Sequence, residues 1–332
     1  MTVLKKILKS VLCIAVTLCL IVGATQYVGT LLDPKWSSGA INAIKAFHTM
    51  DEDSIDVIIY GSSHAWKGCD PMVMYRDYGL AAYNYGCNWQ AINTTLLFLQ
   101  DSLRTQKPKI ACIDTFHVAF VEEDTDMDGQ IYYTRAISTF DGKKEYLRQC
   151  FGDDIERYVS YYVPIVMFHD NWNVIEAENF FELPTIEYYV STMGYEAGGT
   201  GAVEVVLDDS SVSEQEEIPE NSIAILDKML EVCEENGVSV IFYTAPYEGE
   251  YNYSEAMQSY ADAHGCTYLN LFDYTDEIGI NTQTDFRDYA HLNDSGAAKV
   301  ADFLGEYITS HCDVRDMRLE EGNIWEQNLM DD

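Results

Sequence analysis

Positive charge is scarce in this chain. Its 332 residues carry 20 Lys and Arg against 55 Asp and Glu, a formal net charge of -35, with no Lys or Arg between Tyr158 and Asp227. A surface of that sign repels phosphate backbones and excludes nucleic-acid binding. It also argues against a strongly anionic polymer as substrate, with Lys67 and Arg76 marking where a local basic patch could offset it. Ligand-like cysteine spacing is missing too. Of nine cysteines, Cys13 and Cys19 lie in an apolar segment. The rest, Cys69, Cys87, Cys112, Cys150, Cys233, Cys266 and Cys312, are odd in number, widely spaced and without a Cys-x-x-Cys pair. That excludes a zinc site and a dense disulfide framework. A chain long enough to bury a large core needs no staples, so they read as mainly buried free thiols, with room for one or two bridges. Repeats and low-complexity tracts are absent.

Charge of either sign is lacking from Ser10 to Leu32, a run of about the 20 residues that a bilayer-spanning helix needs. Lys5, Lys6 and Lys9 precede it and Asp33 follows, which places the N-terminus in the cytoplasm and the body outside. A cleaved signal peptide is the alternative, with Val11 to Val22 as apolar stretch and Val22-Gly23-Ala24 as cleavage site. Apolar character continuing through Val28, Leu31 and Leu32 favours the uncleaved anchor, leaving residues 33–332 as the extracytoplasmic domain.

After an amphipathic connector from Asp33 to Asp53, short apolar runs alternate with helical patterns. Val57–Tyr60, Ala81–Tyr85 and Ile110–Ile113 read as strands. Met72–Tyr78, opened by Asp70 and Pro71, and Asn88–Arg104 read as helices. The alternation predicts an α/β fold, a parallel sheet with helices on both faces. It breaks from Val121 to about Pro219, which reads as an inserted cap over the carboxyl edge of the sheet, helical between Asp153 and Phe168 and loosely ordered from Leu207 to Glu220. Regular character returns with helix Ile223–Asn236, strand Val238–Thr244, helix Ser254–His264, strand Tyr268–Leu271 and helix Ser295–Ile308, capped by Asp294 or Ser295. The charged tail beyond reads as frayed.

Two stretches carry chemistry. Asp56-Val57-Ile58-Ile59-Tyr60-Gly61-Ser62-Ser63-His64 is a buried strand ending in a small turn, which lifts a serine hydroxyl to the sheet's carboxyl rim, where open α/β folds place ligands. Asp285-Phe286-Arg287-Asp288-Tyr289-Ala290-His291-Leu292-Asn293 offers an imidazole three residues after a carboxylate. A serine is a weak nucleophile until an imidazole takes its proton, and the imidazole works best when its other nitrogen donates to an acid. Ser63, His291 and Asp288 fit those roles. Asp114 and His117 form a second Asp-x-x-His, but no compact set of three ligands accompanies them, so no metal is expected. His64 reads as a packed or gating residue. His169, in Phe168-His169-Asp170-Asn171-Trp172, is a candidate substrate contact from the cap.

With Gly61-Ser62-Ser63-His64, Tyr83-Asn84-Tyr85-Gly86 and Asp285 to Asn293 in this order, the chain from Asp56 to Ile308 resembles the SGNH (GDSL-like) hydrolase superfamily. Within it, the resemblance is to membrane-anchored bacterial members related to the teichoic acid D-alanyl-transfer protein and to polysaccharide O-acetyl-transfer proteins. The resemblance implies a three-layer α/β/α fold with about five parallel strands in flavodoxin-like order. Ser63 takes the place of its nucleophile, Ser62 standing where many members have aspartate. His291 matches the base, Asp288 its partner, and Gly86 the glycine whose N–H joins that of Ser63 in the oxyanion hole. The family's Gly-x-Asn-Asp segment is not visible after the third strand, where Asp114-Thr115-Phe116-His117 stands; Asn88 or Gln90 could substitute. The implied function is a serine esterase or O-acyltransferase acting through an acyl-enzyme on cell-envelope glycan or polymer esters, without cofactor, beside a membrane-bound O-acyltransferase. The alternative is a non-catalytic glycan-binding or assembly protein on the same fold.

Overall fold

The computed structural model describes residues 2–32, 35–121, 131–174, 186–207, 215–249 and 251–331. The chain divides into two compact units, one made of Met1–Gly39 with Phe151–Pro184, the other of Ala40–Cys150 with Thr185–Asp332. The stretch 121–220 is therefore shared between them, its middle grouping with the N-terminal helix. Part of its last portion, 208–214, lies outside the described residues.

In the first unit, helix α1 (Thr2–Leu32) contains a segment, Val3–Gly29, long and apolar enough to cross a membrane. Helix α2 (Lys35–Phe47) follows, and its part from Ala40 on, with Ile44 and Phe47 buried, belongs to the second unit.

The second unit is built on five parallel strands, β1 (Val57–Tyr60), β2 (Ala82–Asn84), β3 (Ile110–Asp114), β4 (Ser239–Thr244) and β5 (Thr267–Asn270), in the order β2-β1-β3-β4-β5. This is the three-layer α/β/α arrangement and strand order expected from the sequence. β1 pairs on both sides, Val57 with Ala82 and with Ile110, and all four of its residues are buried. A strand covered on both faces can be continuously apolar. Alternation sends its side chains both ways. Val57 and Ile59 join a core with Val73 and Met74 of α4 (Pro71–Tyr78) and with Val300, Ala301 and Leu304 of the last long helix. On the opposite side, the Tyr60 hydroxyl lies 2.7 Å from Ser102 Oγ of α5 (Ile92–Ser102).

Several boundaries move for identifiable reasons. α5 starts at Ile92 rather than Asn88, because residues 87–90 turn first, with Trp89 at φ 55°. In the insertion, α6 (Asp141–Phe151) was not expected. Its signals are the i,i+3 pairs Asp141–Lys144 and Glu145–Arg148 and the buried Tyr146, Leu147 and Cys150. α7 (Ile155–Tyr162) and α8 (Pro164–Met167) fall where helix was expected. The return, 186–207, opens with α9 (Glu187–Ser191) and runs across the carboxyl ends of the strands, Met193 O accepting from Asn84 N at 2.8 Å.

α10 (Glu220–Asn236) and α11 (Ser254–His264) both stop at glycines in the left-handed region, Gly237 and Gly265. After α12 (Thr275–Ile278), α13 (Asp294–His311) is capped by Asn293, whose Oδ1 accepts from Ser295 N and Gly296 N. Asp294 and Ser295 do not cap. The Asp294 carboxylate is taken by the N–H groups of Gly198 and Gly199 and the Tyr195 hydroxyl. Nor is the tail frayed. It ends in α14 (Ile324–Asp331), with Trp325 buried and its indole N–H donating to Ala82 O at 3.0 Å. Among the described residues none of the nine cysteines forms a disulfide, and five of them are buried.

Trp325→Ala removes that packing and the bond, and should cost about 3–5 kcal/mol, whereas Leu319→Ala, at a fully exposed position, should stay within about 0.5 kcal/mol. Urea unfolding of the detergent-solubilised chain measures both.

Candidate active site

The turn that ends β1 tolerates only glycine at its first position. Gly61 has φ 143°, and a Cβ there would stand 2.5 Å from Asp114 Cβ. Ser62 then caps a one-turn helix, α3 (Ser63–Trp66), its Oγ accepting from His64 N at 3.2 Å while donating to Asp114 Oδ2 at 3.0 Å. Ser63 is the first residue of that helix. Its N–H has no intrahelical acceptor by position and finds none among the described residues.

Two buried amides hold the turn from outside, and sequence reasoning assigned a role to neither in this sense. Gln90 Oε1 accepts from Gly61 N at 3.0 Å and from the Thr95 hydroxyl at 2.9 Å, while its Nε2 donates to Tyr85 O. Asn84 Nδ2 donates to Ala65 O at 2.8 Å and Cys69 O at 2.9 Å, fastening the far end of α3 to β2. Asparagine is depleted in strands, so one at a strand's carboxyl end was the available signal.

The second half of the site is a loop pinned at both ends. Phe286 and Leu292 bridge, Arg287 N donates to His291 O at 3.0 Å, and Asn293 N to Asp285 O at 2.9 Å. Asp285 is itself buried against Lys299 Nζ at 2.6 Å and the Ser295 hydroxyl. Within the loop, Asp288 Oδ1 accepts from Ala290 N, His291 N and His291 Nδ1, at 2.9, 2.9 and 2.8 Å. The other imidazole nitrogen, Nε2, stands 2.8 Å from Ser63 Oγ. A carboxylate only accepts, so the proton sits on Nδ1 and the Nε2 lone pair faces the serine hydroxyl. Ser63, His291 and Asp288, distant in sequence, thus form one continuous hydrogen-bonded set.

Electrostatics suit this tautomer. Burial holds the His291 imidazole below its ordinary value; Asp288 pulls it up, and Lys67 and Arg287 push it down. For Asp288, burial raises the carboxyl, but the Ala290 N–H and His291 outweigh it and hold the group below the usual range. Lys67 is half-buried and lowered by burial and by Arg287. Under the turn, burial pushes Asp114 up to about 7 against its bonds from Ser62 and the Phe116 N–H.

The other expected residues fare differently. Gly86 packs against the turn, where a Cβ would come within 3.0 Å of Gly61 O, yet its N–H donates to Asn84 Oδ1 at 3.1 Å instead of standing open. Gln90 is fully engaged as a brace, so its amide is not a free donor. Asn88, half-buried, makes no side-chain hydrogen bond among the described residues. His169 lies in the other unit, exposed, with Nδ1 2.6 Å from Val166 O. His64 is buried, stacked on Phe116 at 3.8 Å and 5.5 Å from the His291 ring, and burial holds it neutral. His117 stacks on the exposed Trp89 at 5.7 Å, with Nδ1 2.9 Å from Gln90 O, and burial lowers it to about 4. Among the described residues no three His, Cys, Asp or Glu side chains converge as metal ligands. No protein-family model and no curated protein matches this chain.

Two outcomes follow from the charges. Lys67→Met removes a cation that depresses His291, so the imidazole should titrate at higher pH, read from its ring proton shifts by NMR. Asp114 is raised on folding, so the stability it contributes is complete below the unfolded carboxyl value of about 4 and declines as pH rises through about 7. Asp114→Asn should flatten that decline in urea midpoints measured from pH 4 to 8.

Proposed function

We propose that the chain is a membrane-anchored serine esterase or O-acyltransferase of the SGNH type, acting outside the cytoplasm on acyl esters of cell-envelope glycans or polymers. The observation that carries the reading is the 2.8 Å approach of His291 Nε2 to Ser63 Oγ with Nδ1 held by Asp288. Ser63 Oγ attacks the ester carbonyl carbon as its proton passes to Nε2, and Asp288 stabilises the imidazolium that forms. The tetrahedral oxyanion is met by the open Ser63 N–H at the head of α3, with Asn88 as a side-chain donor. Collapse expels the alcohol, which takes the proton from His291, and leaves an acyl-Ser63. Water or a sugar hydroxyl, deprotonated in turn by His291, then removes the acyl group.

The setting supports tethered chemistry. α1 crosses the bilayer with Lys5, Lys6 and Lys9 on the cytoplasmic side, which holds the body beside a membrane-bound O-acyltransferase able to supply acyl groups. One observation favours a second reading, a non-catalytic glycan-binding or assembly protein: the Gly86 N–H is already engaged.

A fluorophosphonate probe separates the two. The solubilised full chain should label at Ser63, Ser63→Ala and His291→Ala should not label, and Asp288→Asn should lose about 10⁴-fold in rate. Equal labelling of the wild type and Ser63→Ala would favour the binding protein. With p-nitrophenyl acetate, a Ser63-dependent burst would establish the acyl-enzyme, and its faster breakdown with added glycan would assign transfer over hydrolysis.

A further inference from the structure

The unit made of Met1–Gly39 and Phe151–Pro184 holds a second apolar surface besides α1. Residues 155–172 pack on the last turns of that helix. Gln26 Nε2 donates to Tyr162 O at 3.0 Å, and Asn171 Nδ2 donates to Leu32 O at 3.2 Å. Gly29 lets the backbones meet, since a Cβ there would lie 2.6 Å from Pro164 Cβ and 3.0 Å from Ile165 N. Small residues at such crossings are how membrane helices approach closely. The inner side of the segment is buried, with Tyr161, Pro164 and Phe168 covered and Phe151 edge-on to Tyr158 at 5.1 Å.

Its outer side is apolar as well. Ile155, Val159 and Tyr162 follow one another at intervals of four and three residues along α7, the spacing of a single helical face, and Val166 stands on α8, past the break at Val163. All four are exposed, Ile155 at 76%, and Trp172 follows at 58%. An element apolar on both sides is unsuited to water. Position along α1 identifies what covers it. From Ser10, the first residue past the lysines, to Gly29 is nineteen residues, about 28 Å at 1.5 Å per residue. That brings Gly29, and the segment packed on it, to the far boundary of a hydrocarbon layer about 30 Å thick. Tyrosine and tryptophan are enriched at that boundary, and amphipathic helices lie there with their apolar side sunk into it.

We propose that residues 155–172 are a second membrane contact, seated in the interface of the outer leaflet with Ile155, Val159, Tyr162, Val166 and Trp172 facing lipid. This rests on the reading of α1 as a bilayer-crossing helix. The segment and the end of α1 together form a foot broader than a single helix.

The test uses the full chain in phosphatidylcholine vesicles and its Trp172→Phe variant, so that the difference in emission isolates Trp172. Bromine atoms near the headgroup end of the acyl chains should quench most of that difference. Bromines near the chain ends should quench less, and acrylamide little. Ile155→Asp with Val159→Asp should restore acrylamide access to Trp172. If Trp172 is open to acrylamide and untouched by bromolipid in protein that resists carbonate extraction, the contact is absent while the anchor stands. Protection from both quenchers would mean a second copy covers the face and would overturn the proposal. Release of the protein by carbonate would overturn the anchor and the proposal together.

Discussion

Everything at the site depends on how closely two backbones approach at Gly61. The turn out of β1 is so tight that only hydrogen fits between Gly61 and Asp114, and this closeness lets one carboxyl group on β3 receive the hydroxyl that caps α3. A four-residue helix has no cooperative stability of its own, so its position is imposed from outside. Gln90 holds its entry, Asn84 its exit and Asp114 its cap. The serine at its start is therefore placed by three buried polar side chains from three different elements, and it has little freedom to move away from His291.

The loop that carries His291 is built on a different principle. It has no regular structure, so its own ends are tied, by a bridge between Phe286 and Leu292 and by Asp285 buried beside Lys299. Asp288 then spends one oxygen on two backbone N–H groups and the imidazole together. Orientation of the base and shape of the loop are the same set of bonds. Replacing that carboxylate acts on both at once, which is why its effect on rate is expected to exceed what the lost charge alone would give.

Much of this was legible along the chain because it is local. A buried apolar run stopping at Gly-Ser-Ser, a carboxylate three residues before a histidine, and glycines after amphipathic stretches all have meaning within a dozen residues. Sheet order followed from strand and helix alternation together with the resemblance drawn on the same motifs. What escaped is tertiary. Nothing next to Gln90 says that its amide bonds back to Gly61, and nothing next to Asp294 says that glycines a hundred residues earlier compete for it and leave capping to Asn293. α6 was missed for another reason: its charged face hid a narrow apolar stripe. The tail was misjudged because one tryptophan outweighs many charges when a groove waits for it.

That tryptophan has a further meaning in the order of the strands. β2 lies at the border of the sheet, where unpaired backbone groups invite a strand from another molecule. Here the Ala82 carbonyl is met by the Trp325 indole and the Asn84 N–H by the Met193 carbonyl. Two segments remote from each other in sequence thus close the border with hydrogen bonds that continue no sheet. Such closure protects the border against edge-to-edge assembly, and the helix that carries Trp325 acts as its seal.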